Sequence, residues 1–142
     1  MKLLLDTNVL VRLCHPTGHQ DVKDWFRALL LKGGAAPEFL ISVLADYELR
    51  RALLRRGGTA SLDRLDELAR SVTVVPITPE VVRRGAEIFA SIPESGGNRA
   101  SDADVLMAAQ AQLEGAVLVT SDALLRDVPG IMAKDWHEIA TS

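Results

Sequence analysis

Short apolar runs alternate with helix-period segments along nearly the whole chain, and this alternation constrains the fold more than any other feature. Residues 3–5, 40–41, 72–77 and 116–119 are too short to be buried helices and read as strands. Most lead directly into a helix-start signal: Thr7 or Asn8, Ser42, Thr78-Pro79, and Thr120-Ser121-Asp122. Helices are expected over residues 7–14, 20–31, 42–56, 61–70, from 78 to before Pro93, and from the Ser101 cap to about Glu114. In the second of these Val22, Trp25, Phe26, Leu29 and Leu30 recur at helical spacing. In the third, Leu49, Ala52 and Leu53 are expected to face the core. Gly33-Gly34, Gly57-Gly58 and Gly115 supply stops. Residues 94–100 read as a polar loop, 131–133 as a last edge strand and 135–140 as a terminal helical turn. Strands alternating with helices of this length predict an α/β fold, a mainly parallel sheet covered on both faces, within one domain spanning residues 1–142.

Composition removes several alternatives. At 142 residues the chain can bury a core without staples, and its few aromatics (4%) leave that core mainly to Leu, Val, Ile and Ala. Cys14 is the only cysteine, so there is neither an intrachain disulfide nor a Cys or Cys/His metal motif; its apolar surroundings predict an inert, buried thiol. The first apolar run stops at Asp6, too early for a signal peptide, and no stretch approaches the length of a membrane span. A cytoplasmic protein without membrane contact is expected. A net charge of −3 argues against a nucleic-acid partner at first sight. Carboxylates gathered in a site account for part of that charge, and Arg50-Arg51 with Arg55-Arg56 offers either a phosphate-facing cluster or a solvated face.

The residues with chemical potential are acids near strand ends. Ligands in open α/β sheets gather beyond the carboxyl ends of the strands. Asp6 closes the first strand, Asp122 follows the strand at 116–119, Glu48 lies on the helix fed by the second strand, and Asp104 lies in the first turn of its helix. Such carboxylates suit hard divalent cations. Each also has a structural alternative. Asp6 and Asp122 can serve helix N-termini, Ser101 and Asp104 have the spacing of a capping box, and Glu48 alone reads as a solvated helix residue. Asp46 and Asp102 lie two residues from favoured positions and so point elsewhere on their helices. His15, His19 and His137 lack partners at catalytic spacing and read as surface or loop residues.

Four segments, in order, resemble one family. Leu3-Leu4-Leu5-Asp6-Thr7-Asn8-Val9-Leu10 resembles the opening motif of PIN domains, many of whose bacterial members are VapC-type toxins. Ile41-Ser42-Val43-Leu44-Ala45-Asp46-Tyr47-Glu48-Leu49 resembles the second motif, with its acid at Glu48. Asp104-Val105-Leu106-Met107-Ala108-Ala109 resembles the third, and Leu118-Val119-Thr120-Ser121-Asp122 the fourth. A further acid common after the fourth motif is replaced by Ala123-Leu124-Leu125, leaving Asp122 to carry that role alone.

The resemblance implies a PIN-like three-layer sandwich with the acids in a groove at the carboxyl end of the sheet. It implies a metal-dependent endoribonuclease, with Asp6, Glu48, Asp104 and Asp122 holding Mg²⁺ or Mn²⁺ and Asn8 and Thr120 fixing carboxylate geometry. It also implies an RNA substrate, a cognate antitoxin and a homodimer, with the helical hairpin over residues 42–70 as a contact region. Alternatives are a housekeeping nuclease on structured RNA or DNA, and an inactive binding module. An aspartyl phosphatase is disfavoured because position 8 is Asn8, where an Asp-x-Asp pair would need a second acid.

Overall fold

Five strands form one sheet: β1 (Lys2–Leu5), β2 (Glu38–Ser42), β3 (Thr73–Val75), β4 (Val117–Val119) and β5 (Ala133–Lys134). Their order is β3-β2-β1-β4-β5, and every pairing is parallel. The structure is a computed structural model and describes residues 1–94 and 100–142. Seven α-helices lie among the described residues: α1 (Thr7–Cys14), α2 (Gln20–Leu30), α3 (Val43–Arg56), α4 (Thr59–Ser71), α5 (Pro79–Ser91), α6 (Asp102–Glu114) and α7 (Ala123–Arg126).

β1 occupies the centre because it is apolar without alternation. Leu3, Leu4 and Leu5 are all fully buried, as a strand with both faces covered requires, and each contributes about 1.5–3 kcal/mol by burial. Their side chains alternate between two cores. Leu4 joins the larger one, with Leu10, Leu49, Leu53, Leu65, Met107 and Leu118. Leu3 and Leu5 join the smaller one, with Val22, Trp25, Leu29, Phe39 and Trp136. The smaller core takes both tryptophans, and the Phe39 ring lies 4.5 Å from that of Phe26, tilted at 50° to it. One layer is thus aromatic, whereas composition suggests an aliphatic interior throughout.

The structure moves several boundaries. β2 begins at Glu38, because Lys2 pairs with it in register. β3 is shorter than the expected strand: Val72 is spent capping α4, its N–H on Leu68 O, and Pro76 has no N–H to continue a ladder. α4 starts at Thr59, as Gly58 turns the chain with its N–H on Leu53 O. The last strand lies at Ala133–Lys134, and the terminal turn is a short 3-10 helix, Trp136–Glu138. Ala52 is exposed, because α3 buries Ala45, Leu49 and Leu53, a spacing of four that leaves position 52 off the face. The sheet is wholly parallel among the described residues. The expected loop at 94–100 falls largely outside them.

The strand order places the candidate site. The chain builds outward from β1 through β2 to β3, then crosses back to lay β4 on the other side of β1. Connections leaving β1 and β4 therefore diverge, which makes their carboxyl ends the switch point where ligands of open α/β sheets gather.

Candidate active site

Asp6 stands at this switch point. It is the first residue after β1, it continues the ladder through its N–H on Val119 O (3.0 Å), and it is only 4% exposed. Three donors hold its carboxylate. Oδ1 accepts from the Thr7 N–H (2.7 Å); Oδ2 accepts from the Thr120 hydroxyl (2.6 Å) and the Asn8 amide (3.2 Å). The helix-cap role considered from the sequence is real, but it uses a single oxygen.

Thr120, fully buried beyond the end of β4, does two jobs. Its hydroxyl donates to Asp6 and accepts from the Asp122 N–H at 3.0 Å. Asp122 in turn caps α7, with Oδ1 accepting from the Leu124 N–H at 2.9 Å. Asp104 makes the capping box suggested by its spacing: its Oδ2 accepts from the Ser101 N–H, and its own N–H donates to Ser101 Oγ, both at 3.1 Å. One oxygen each of Asp104 and Asp122 is left without a hydrogen bond among the described residues. Glu48, half-buried on α3, accepts from the Thr7 hydroxyl at 2.8 Å.

Electrostatics tie three of these acids together. The Asp6 carboxyl is raised above its ordinary value first by burial, and further by the negative charges of Asp104 and Asp122; the Thr120 hydroxyl and the Thr7 amide oppose the rise. A buried carboxylate facing two like charges is poorly compensated by the chain's own groups. In addition, Asn8 Oδ1 is buried without a hydrogen-bond partner. A set of hard oxygen donors, surplus negative charge and an orphaned acceptor fit a divalent cation in charge and donor type. The described residues do not, however, bring three acids, histidines or cysteines together into a ready chelating group.

Other sequence expectations resolve plainly. Asp46 points away, paired with Arg50 at 3.0 Å, and Asp102 is exposed in the first turn of α6. Arg50 also binds Asp66 at 2.7 Å, so it does not serve as a free phosphate-facing cation; Arg51, Arg55 and Arg56 are exposed, with Arg51 5.0 Å above the Tyr47 ring. His15 and His19 lie edge to face with each other, and His137 bonds Asp135 in the terminal turn. Sequence reasoning missed Thr7 as a link between acids. Its only sequence signal is a hydroxyl next to a strand-end Asp.

A family model described as PIN domain matches residues 3–131. A search of curated proteins finds no match. Among solved structures, VapBC2 from Rickettsia felis, bound to a DNA fragment from its promoter, is similar with a TM-score of 0.78 at 19% identity, covering 96% of this chain and 99% of that one. FitAcB from Neisseria gonorrhoeae is similar with a TM-score of 0.73 at 21% identity, covering 96% and 99%. VapC20 from Mycobacterium tuberculosis, described as a sarcin-ricin loop cleaving toxin, gives a TM-score of 0.66 at 18% identity, covering 89% and 95%.

Proposed function

Because the chain belongs to the PIN-domain family, we propose that it is a divalent-metal-dependent endoribonuclease, the toxin of a toxin–antitoxin pair. One observation carries the proposal: a strand-end carboxylate buried at the switch point of the sheet, with two further acids raising its pKa. A fold built for stability alone would not retain such a group without a counter-charge. The likeness to VapBC2, FitAcB and VapC20 supports the toxin reading.

Asp6, Asp104, Asp122 and Glu48 would hold one or two Mg²⁺ or Mn²⁺ ions. The chemistry such an ion supplies when bound is acidification of a water and neutralisation of charge on the attacked phosphate. The chain's own part is preorganisation. Thr120 and Asn8 fix the Asp6 carboxylate from one side, and the Thr120 hydroxyl sets the start of the Asp122 turn. The capping box holds Asp104 at a helix start, which lends rigidity to a ligand. The exposed Arg51, Arg55 and Arg56 offer cations for an RNA backbone. A cognate antitoxin, a homodimer and a cytoplasmic setting belong to the same proposal. No helix among the described residues is long and apolar enough to cross a membrane.

The test compares wild type with Asp6→Asn on a mixed pool of labelled RNAs, with Mg²⁺ or Mn²⁺ and with EDTA. Metal-dependent cleavage that vanishes in the variant supports the proposal. Silence of both proteins, together with no Mn²⁺ binding by calorimetry, replaces it with a binding module. Cleavage confined to DNA in a parallel pool refutes the substrate.

A further inference from the structure

We infer that Thr7 is a positioning residue, which holds Glu48 in fixed relation to Asp6; the inference rests on the nuclease reading above. Two groups of one residue act on two acids. The Thr7 N–H donates to Asp6 Oδ1 at 2.7 Å, and the Thr7 hydroxyl donates to Glu48 Oε1 at 2.8 Å. The second bond spans 41 positions and joins α1 to α3.

The hydroxyl is free to reach across because Thr7 is the first residue of its helix. A threonine inside a helix can turn its hydroxyl back to the carbonyl of the preceding turn, but here that turn does not exist and residue 3 lies in β1. Glu48 needs such a partner. It is half-buried, its side chain has three rotatable bonds to restrain, and among the described residues Thr7 is its only hydrogen-bond donor.

Acceptor counting gives the arrangement a chemical consequence. Asp6 Oδ2 receives two hydrogen bonds and Oδ1 one, so its spare acceptor capacity lies on Oδ1, the oxygen that Thr7 contacts. On Glu48 the bond occupies Oε1 and leaves Oε2 open. Thr120 and Asn8 thus fill one oxygen of Asp6, while Thr7 shares the other and sets which oxygen of Glu48 is left without a bond. Valine has nearly the same shape and retains the backbone N–H, so Thr7→Val removes the Glu48 bond while keeping the one to Asp6.

The experiment titrates Mn²⁺ calorimetrically into the full chain and measures RNA cleavage in parallel. The proteins are wild type, Thr7→Val, Thr7→Ser, Glu48→Ala and the double variant Thr7→Val/Glu48→Ala. Thr7→Val is expected to weaken Mn²⁺ binding and cleavage by roughly 10- to 100-fold, the usual effect of removing a group that orients a ligand. Thr7→Ser, which keeps the hydroxyl, restores most of both. In the Glu48→Ala background, where no acceptor remains for the Thr7 hydroxyl, Thr7→Val has no further effect on Mn²⁺ binding. Wild-type binding by Thr7→Val, or an equal loss with Glu48 already altered, overturns the inference and leaves the nuclease reading intact. A wild type that neither binds Mn²⁺ nor cuts RNA sinks the nuclease reading itself. Thr7→Ala carries the same expectations should urea unfolding in EDTA show that valine disturbs the fold.

Discussion

Thr120→Val isolates the hydroxyl on which the strand-end acid depends. The side chain is fully buried and valine fills nearly the same volume, so no cavity contributes. What is lost is a hydrogen bond to a carboxylate at 2.6 Å and the acceptor of the Asp122 N–H. A hydrogen bond to a charged group contributes about 1.5–3 kcal/mol, and the half-buried amide adds about 0.5–1 kcal/mol where water replaces its partner imperfectly. The variant should therefore be less stable by about 2–4 kcal/mol at pH 8. The pH dependence follows from the position of Asp6, whose pKa is raised in the fold by burial and by its acidic neighbours while Thr120 lowers it. Removing Thr120 raises it further. A raised carboxyl costs stability above its unfolded value of 3.8, and that cost disappears below it. The effect of the substitution must then shrink toward pH 3, where only a neutral hydrogen bond of about 0.5–1.5 kcal/mol is at stake. Urea unfolding in EDTA, followed by the fluorescence of the buried Trp25 and Trp136, measures both limits. A loss below about 0.5 kcal/mol at pH 8, or one of equal size at both pH values, would refute the reasoning.

Three further outcomes are expected. Gln110→Glu places a carboxylate against the carbonyl oxygens of Val75 and Pro76, which the native amide satisfies from a position 1% exposed. It should cost about 3–5 kcal/mol at neutral pH and less in acid, as read by urea midpoints. Cys14, buried and with its pKa pushed up to about 11, should resist a thiol-specific reagent at pH 8 until the chain unfolds; rapid labelling of the native protein would contradict its placement. Asp135→Ala removes the cap of the terminal 3-10 turn and should cost about 1 kcal/mol. Burial opposes ionisation of Asp135, yet bonds from His137 and the charge of Arg126 outweigh it and lower the pKa, so this contribution holds above 3.8 and fades as pH falls through the lowered value. Thermal melts across pH 2–7 follow that loss.

Elements with local causes were legible in the sequence. A three-leucine run ending in Asp6 could hardly be anything but a buried strand, and Thr78-Pro79 marks α5 because its cap and its missing amide are both local. The Ser101–Asp104 box was likewise visible from spacing alone. What escaped depends on distance along the chain. Nothing near Thr7 announces Glu48, and nothing near Gln110 announces the Val75 and Pro76 carbonyls that its amide binds 35 and 34 positions away. Arg50 looked available for phosphate although Asp46 stands one turn before it on the same helix; its second acid partner, Asp66, belongs to another helix and gives no local sign. Ala52 misled for a subtler reason: an alanine tolerates either face of a helix, so its identity carries little directional information.

The strand at the middle of the sheet precedes every other strand in the chain, yet one of its two neighbours, β4, comes more than a hundred residues later. Its carboxyl-end acid waits for a hydroxyl 114 positions later, and the Lys2–Glu114 ion pair closes over a similar span. During translation Asp6 therefore leaves the ribosome long before β4 exists to hold it, and pairings this remote form slowly. A nascent chain carries Asp6 and Glu48 before Thr120 exists to hold the Asp6 carboxylate. On the nuclease proposal, truncated products of interrupted synthesis that lack Thr120 and Asp122 should be silent in the Mn²⁺-dependent cleavage assay.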